Sequence, residues 1–308
     1  MKVLLTGATG YVGRRVAAAL RRHGHEVLGT IRDLDSTAEL PEGASAVVGT
    51  FEHFDNIIAA ATSADAVVHT GFPRSAPADG LKGMLAAVDT EARFLRALVE
   101  AVDGSAKPIV VSNGTVFLGD SGDARLDESC SVIAAHPGAT RAAATRYVTD
   151  ASGVRGVELR LASFVYGYGG GNFIPILRAL AARNGWSPYT GDGQTLTSTL
   201  HVDAAAMAYV HAVMASSARG VYHVASDEEP SMAELAMAVT LGCGRASTAR
   251  SVTASELVEH VGPQLAMFMT TNNRLDARKA RRELGWSHAG YPTMLWDVAR
   301  GSYFSRAP

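Results

Sequence analysis

MKVLLTGATGYVG, residues 1–13, is the stretch of the chain that decides its fold. The apolar run Val3–Leu5 has the length of a strand, and the glycines Gly7, Gly10 and Gly13 predict a tight turn that leads into a helix. A strand, a glycine turn and a helix in this order form the opening of a dinucleotide-binding βαβ unit. Gly7 would adopt the tight turn, Gly10 would let the backbone approach a pyrophosphate, and Gly13 would let the helix pack closely. The free N–H groups at the start of the helix would then face the phosphates.

Composition excludes several classes of protein. Of 308 residues, 47% are hydrophobic and 19% are charged, which is typical of a folded globular enzyme rather than a disordered chain. The formal net charge of −2 predicts no electrostatic attraction to nucleic acid or to an anionic membrane. Cys130 and Cys243 lack metal-ligand spacing, so we expect two reduced thiols and no metal site. No apolar run could span a bilayer and the N-terminus passes directly into the first strand, so we expect no signal peptide, no membrane partner and a cytoplasmic location.

Strand-like and helix-like segments alternate along most of the chain. Continuous Val/Ile/Leu strands imply an α/β fold whose doubly wound parallel sheet is covered on both faces. We predict a dinucleotide-binding Rossmann domain over residues 1–165 and 195–226, and a smaller, mostly helical substrate-binding lobe over residues 166–194 and 227–308. Within the lobe, Trp186–Gly193 is predicted to be rich in turns. The strands predicted after the first one are Val27–Ile31, Ala46–Gly49, Ala66–Thr70, Ile109–Ser112, Val157–Leu161 and Val221–Ala225.

Six ordered segments resemble the extended short-chain dehydrogenase/reductase family, also called the NAD-dependent epimerase/dehydratase family. The resemblance covers nearly the whole chain and implies a Rossmann fold, a nicotinamide cofactor and an oxidoreductase or epimerase activity. The segments are TGATGYVG at 6–13, DAVVHTG at 65–71, VVSNGTVF at 110–117, LRLASFVYG at 159–167, GDG with LHVD at 191–193 and 200–203, and ARRELGW at 280–286.

The resemblance also implies which residues hold the cofactor. At the tip of the second strand, TIRD at 30–33 is similar to the TVRD of family reductases that use NADPH. Arg32 would pair with the 2′-phosphate through its planar fork, so we predict NADP(H), with NAD(H) as the alternative. Thr50 replaces an adenine-side Asp, and adenine would rest against Phe51 instead. The predicted cofactor-binding residues are Gly7, Thr9, Gly10, Tyr11, Val12, Gly13, Arg32, Thr50, Phe51, Gly71, Phe72, Pro73, Arg141 and Ala162.

The catalytic groups usual in this family are missing. Family members carry a Ser or Thr together with a Tyr and a Lys in the pattern YxxxK, which occurs nowhere in this chain. The resemblance puts Arg141 at the Lys position, Pro137 at the Tyr position and Asn113 at the Ser position, with Ser112 beside it. We therefore expect Asn113 or Ser112 to hold a carbonyl oxygen and Arg141 to hold the nicotinamide ribose.

The source of a proton is open at this stage, because proline at position 137 has no ionisable group. His136 titrates near neutral pH and lies beside the vacant position, although it would serve equally well as a solvent-facing histidine at a helix start. Tyr166 and Tyr168 in the glycine-rich loop, water and a hydroxyl of the substrate are the other candidates.

The candidate substrate pocket is apolar. Thr197 stands where nucleotide-sugar enzymes of the family carry a diphosphate-binding Arg, which argues against such substrates. We predict an NADPH-dependent reductase of a ketone on a hydrophobic, flat or polycyclic small molecule. The alternatives are a non-catalytic NADP(H)-binding sensor or scaffold and a nucleotide-sugar epimerase or dehydratase, and a homodimer would follow by analogy alone. The predicted lining residues are Phe72, Pro73, Phe117, Phe164, Tyr166, Tyr168, Trp186, Met267 and Phe268.

Overall fold

Seven parallel strands form the central sheet of the computed structural model, which describes residues 1–73, 80–136, 138–243 and 248–304. Their order is β10-β6-β5-β4-β1-β2-β3, and every neighbouring pair is parallel. All seven predicted strands are confirmed, and so is the doubly wound α/β fold. The strands are β1 (Lys2–Thr6), β2 (Glu26–Ile31), β3 (Ser45–Val48), β4 (Ala66–His69), β5 (Pro108–Asn113), β6 (Arg155–Leu161) and β10 (Gly220–Val224).

Helices cover both faces of this sheet because successive strand residues point to opposite sides. Val3 and Leu5 pack in one apolar cluster with α1 and α6, whereas Leu4 packs in another with α2, α3 and α4. No helix within the described ranges has both the length and the apolar character needed to cross a membrane. The helices are α1 (Tyr11–Arg22), α2 (Asp55–Ser63), α3 (Gly80–Ala101), α4 (Ala139–Asp150) and α6 (Val202–Met214).

The glycine turn has the geometry that the sequence predicts. Gly7 has a φ of +72°, and a Cβ on Gly13 would lie 2.0 Å from the carbonyl oxygen of Gly7. The start of α1 therefore packs directly against the turn. The helix begins at Tyr11, because Gly10 in an extended conformation serves as the N-cap.

A third apolar cluster, separate from the two that flank the sheet, is formed by residues between positions 164 and 303. The prediction of turns over Trp186–Gly193 is wrong for its first part, because Trp186–Thr190 is a strand, β8, paired in parallel with β11. Two further short strands, β7 and β9, pair with each other. The remaining elements are β7 (Phe164–Tyr166), α5 (Ile174–Asn184), β9 (Thr199–His201), α7 (Met232–Gly242), β11 (Thr248–Val252), α8 (Ala254–Thr270), α9 (Arg278–Leu284) and α10 (Met294–Arg300).

Candidate cofactor and substrate site

Two adjoining cavities of about 360 and 410 Å³, called here the first and the second cavity, form one crevice across the sheet. Residues that directly follow β1, β2, β4, β5 and β6 line them, namely Gly7, Arg32, Thr70, Gly114 and Ala162. The crevice thus lies at the carboxyl ends of the strands, where open α/β sheets bind their ligands. Every residue predicted to hold the cofactor lines one of the two cavities.

The start of α1 provides free hydrogen-bond donors at the point where the cavities meet. Its N-cap, Gly10, has no side chain to satisfy the first-turn N–H groups, and Tyr11, Val12 and Gly13 line the second cavity. Unsatisfied amides at the positive end of a helix dipole form a ready site for an anion such as a diphosphate. A Cβ on Gly10 would meet only the oxygen of Gly7, at 3.2 Å, so this backbone stands open on its other sides.

A cation borders the first cavity at the tip of β2. Arg32 is exposed, and among the described residues no carboxylate lies within ion-pair distance of it. The neighbouring Asp33 is turned elsewhere, because its carboxylate accepts hydrogen bonds of 3.0 Å from the backbone nitrogen and the hydroxyl of Ser36. Ser36 and Glu39 line the same cavity. The tip therefore presents a guanidinium that forms no ion pair with the described residues, and Glu52 also lines the cavity.

Phe51 forms an aromatic wall of the first cavity. A Cβ on Gly71 would lie 2.7 Å from its ring, so the two residues are in close contact. The ring also packs edge-on against His69 and Phe94, with centroids 5.5 and 5.1 Å away. Thr50 uses its hydroxyl to accept hydrogen bonds from the backbone of the turn that follows. This arrangement agrees with an adenine that stacks rather than one that is held by a carboxylate.

Arg141 reaches the second cavity and is fixed there by a buried carboxylate. Its Nε and Nη2 donate hydrogen bonds of 2.9 Å to the two carboxylate oxygens of Glu91, which lies on α3 and is fully buried. Its Nη1 has no hydrogen-bond partner among the described residues, and the guanidinium lies 4.6 Å from the ring centre of Phe72. Two of the five donors on the fork are thus used by Glu91, which leaves Nη1 for a ligand.

The network continues from Glu91 towards the glycine turn. His69 Nε2 lies 3.1 Å from Glu91 Oε1, and His69 Nδ1 lies 2.7 Å from Thr6 Oγ1. Burial by itself raises the pKa of Glu91, but the charge of Arg141 and hydrogen bonds from His69 and Arg141 hold that pKa at about 2. Burial lowers the pKa of Arg141, and the Glu91 carboxylate more than offsets this. Both groups are therefore charged, and His69 donates from Nε2 because a carboxylate can only accept.

Sequence reasoning missed Glu91, although a signal for it exists. Its neighbours on the same face of α3, Val88 and Leu95, are buried core residues. A carboxylate within an otherwise apolar helical stripe needs a partner, since burial of an unpaired charge is costly. Such a position is a better indicator of a functional network than the surrounding sequence motifs.

The structure places Asn113 and Ser112 away from the cavities, in contrast to their expected role on a carbonyl oxygen. The Asn113 amide donates to Thr145 Oγ1 at 3.1 Å and to Glu158 Oε1 at 3.3 Å. The Ser112 hydroxyl donates to the carbonyl of His69 and shares a hydrogen bond with Tyr209. Neither side chain lines the crevice, because consecutive residues at the end of β5 point into the packed layers on opposite faces of the sheet.

The two main candidates for a proton donor also lie outside the cavity linings. Tyr166 is buried and donates to the carbonyl of Pro292 at 2.5 Å, and burial together with nearby carboxylates raises its pKa. His136 accepts from the backbone of Gly138 through Nδ1, and burial lowers its pKa. Its Nε2 is buried and has no hydrogen-bond partner among the described residues. Pro137, at the position of the family's Tyr, falls outside the described residues.

Besides the predicted Arg141 and Tyr11, polar side chains that were not among the predicted site residues line the second cavity. They are Thr115, Ser163, Asn172 and Gln264. Three phenylalanine rings also line it, of which Phe164 and Phe268 were predicted and Phe173 was not. Thr115 lies two residues beyond Asn113 and borders the cavity without any exposed surface.

Two tyrosines that are far apart in the sequence, Tyr11 and Tyr303, hold the glycine-rich loop beside the second cavity. Tyr11 donates to the carbonyl of Gly167 at 2.9 Å, and Tyr303 donates to the carbonyl of Gly170 at 2.5 Å. The Tyr303 hydroxyl also accepts a hydrogen bond from the Gly167 backbone at 2.9 Å. Tyr168 in the same loop points outward to Asp203 and Arg15. The loop is therefore fixed from the start of α1 and from the segment after α10.

Comparison with known proteins agrees with this architecture. An uncharacterised protein of Schizosaccharomyces pombe is 28% identical over 306 residues, which is 99% of this chain and all of the relative. A protein from Streptomyces sp. named 3-diazoavenalumate denitrifying reductase is 31% identical over 93% of this chain and 95% of its own. The structure of Thermus thermophilus UDP-glucose 4-epimerase with NAD has a TM-score of 0.79 over the full length of both chains, at 18% identity. The profile of the NAD dependent epimerase/dehydratase family matches residues 3–225. The chain therefore belongs to this family, the extended short-chain dehydrogenases/reductases.

Proposed function

We propose that the protein is an NADPH-dependent reductase of a ketone on a hydrophobic small molecule. The observation that carries the proposal is one continuous crevice with free helix-start amides at its middle, Arg32 at one end and Arg141 at the other. These groups match the diphosphate, the 2′-phosphate and the nicotinamide ribose of NADPH in their order along the crevice. A bound nicotinamide would supply the hydride for the reduction.

The choice of NADPH rests on the tip of β2. Arg32 has no carboxylate partner in the described part of the chain, and Asp33 is occupied by Ser36. A ribose 2′-hydroxyl would need an acceptor there, whereas a 2′-phosphate would gain a charge-assisted pair with the guanidinium. Arg141 would hold the nicotinamide ribose through its unpartnered Nη1, while Glu91 fixes the direction of the guanidinium.

Reduction is favoured over nucleotide-sugar epimerisation by the substrate end of the crevice. Thr197, at the position of the family's diphosphate-binding Arg, is fully buried and outside the cavity lining. The second cavity instead presents three phenylalanine rings, which suit an aryl or other apolar group. The name of the Streptomyces relative, a reductase, supports this choice.

The described lining offers no free acid for the ketone oxygen. The Tyr11 hydroxyl is used by Gly167, and burial raises its pKa, while Arg141 is bound to Glu91. We propose that water entering the crevice delivers the proton. His136→Ala should consequently retain full activity, and a large loss in this variant would make His136 the acid.

The decisive experiment measures cofactor binding and turnover together. NADPH and NADH are titrated into the purified protein by calorimetry, and a panel of aryl ketones is screened for oxidation of the reduced nicotinamide. Arg32→Ala should weaken NADPH binding by about tenfold or more and leave NADH binding unchanged. The matched control is Arg96→Ala, which alters an exposed arginine on α3 outside both cavities.

Three outcomes would contradict the proposal. Lack of binding to either nucleotide would remove the cofactor site itself. Tight NADPH binding without turnover of any ketone would favour the non-catalytic sensor. Tightly bound NAD in the purified protein, with conversion of a UDP- or dTDP-sugar, would favour the epimerase.

A further inference from the structure

Three hydroxyl groups converge on one buried amide behind the second cavity. Ser198, Ser163 and Thr115 place their hydroxyl oxygens 2.6, 2.8 and 3.0 Å from Oδ1 of Asn273. Asn273 is only 2% exposed, and its Nδ2 donates to the carbonyl of Thr115 at 3.4 Å. This last contact assigns the amide orientation, because a carbonyl can accept a hydrogen bond but cannot donate one.

These contacts determine whether a hydroxyl can act as a donor or as an acceptor towards a ligand. Each hydroxyl has a single proton, and the amide oxygen can only accept. Ser198 already accepts a hydrogen bond from the Ser163 backbone at 3.0 Å, so its own proton goes to Asn273. The other carbonyl near Thr115, that of Leu161 at 3.5 Å, is likewise an acceptor. Ser163 and Thr115 therefore use their protons inside the protein and keep their lone pairs.

Ser163 and Thr115 both border the second cavity, whereas Ser198 does not. Thr115 has no exposed surface, so only the half-buried Ser163 can meet a ligand. Ser163 follows Ala162 after the end of β6, and Arg141 lines the same cavity. Asn273 is itself fixed, since its backbone nitrogen donates to the carbonyl of Leu196 at 3.0 Å. The protein thus holds the Ser163 hydroxyl as a fixed hydrogen-bond acceptor in the wall of the second cavity.

We propose that Ser163, oriented by Asn273, selects a substrate that carries a hydrogen-bond donor, such as a hydroxyl, next to its reacting carbon. The inference rests on the proposed function and names the substrate class more closely: a hydroxylated aryl ketone. A ketone oxygen alone would face a lone pair of Ser163, whereas a neighbouring hydroxyl would donate to it. The aryl group would lie against Phe164, Phe173 and Phe268.

The test uses a matched pair of probes, phenacyl alcohol and its methyl ether, which differ only in the donor. Calorimetry on the protein saturated with NADP⁺ measures the binding of each probe without any need for turnover. The wild-type protein should bind the alcohol about tenfold more tightly, as one hydrogen bond of about 1.4 kcal/mol predicts. Ser163→Ala should reduce this preference several-fold.

Ser198→Ala is the matched control, because Ser198 bonds to the same Asn273 oxygen but lies outside the cavity lining. It should keep the preference. Equal binding of the two probes, tighter binding of the ether, or no binding of either would overturn the inference. If the preference is present but no ketone is reduced, the inference holds and the proposed reductase activity fails.

Discussion

Two carboxylate–guanidinium pairs among the described residues have the same chemistry and different surroundings. Glu91 and Arg141 come from different helices, α3 and α4, and the arginine is 22% exposed at the second cavity. Glu158 and Arg160 lie on one strand, β6, with exposed fractions of 1% and 6%. The second pair borders a separate recess that shares no residue with the crevice. The two pairs therefore differ in the elements that they join and not in their chemistry. The pair between two helices directs a guanidinium towards a ligand, whereas the pair within one strand stabilises the sheet.

The largest effect is expected from breaking the pair on β6. Arg160→Met leaves Glu158 buried without a cation, which should lower the free energy of unfolding by about 3–5 kcal/mol. Urea unfolding measures this loss, and the uncharged double variant Glu158→Leu with Arg160→Met should recover most of it. NADPH affinity of the folded protein should stay the same, and a clear change would show that this pair also serves the crevice.

The next largest effect is expected on the free energy of unfolding as a function of pH, through the Glu91–Arg141 pair at the crevice. The pKa of Glu91 lies at about 2 in the folded protein, below its ordinary value of 4.5. A lowered carboxyl pKa contributes stability that is complete above pH 4.5 and is lost as the pH falls towards 2. The contribution is on the order of 3 kcal/mol. Unfolding free energies of the wild type and of Glu91→Gln should converge over this pH range, and parallel curves would contradict the ion pair.

A smaller effect tests whether the Glu91–Arg141 pair positions a cofactor group. Glu91→Gln removes the charge and one acceptor, so Arg141 loses its fixed direction and NADPH binding should weaken about tenfold. Binding of adenosine 2′,5′-bisphosphate, which lacks the nicotinamide ribose, should not change. Glu100→Gln on the exposed end of α3 is the control. Equal weakening of both ligands would indicate a general loss of structure instead.

The smallest effect is expected for a variant of Asn113, which we expect to take no part in the reaction. Asn113→Ala removes amide hydrogen bonds to Thr145 and Glu158, which should cost about 1–2 kcal/mol of stability. Its kcat/KM for a reducible ketone should equal that of the wild type. A drop in kcat/KM at unchanged NADPH affinity would indicate that Asn113 contacts the substrate.

The features predicted from sequence are those that depend on local chain properties. The glycine turn can be predicted because Gly7 needs a positive φ and Gly13 a close approach, and most strands of the sheet contain a short apolar run. The first cavity could be predicted because strand tips such as Arg32 follow directly from the strand boundaries.

The rest depends on contacts between distant segments. Strand β8 forms because it pairs with β11, and neither segment by itself predicts this pairing. Asn273 gains its role from partners on other elements, so no spacing rule reveals it. The apolar stripe of α3 indicates that Glu91 is buried, but it does not identify Arg141 as its partner. Whether Asn113 faces the crevice depends on the direction of its side chain at the end of β5, and a motif alone does not fix that direction.

The hydrogen bonds between Tyr303 and the glycine-rich loop have a consequence for folding during synthesis. Tyr303 lies 133 residues after Gly170, so this side of the pocket wall can be fixed only once the chain has been synthesised up to residue 303. The Rossmann sheet can form earlier, but a nascent chain that ends before residue 303 would hold the loop through Tyr11 alone. Truncation before residue 303 should therefore weaken ligand binding more than it lowers the stability of the sheet.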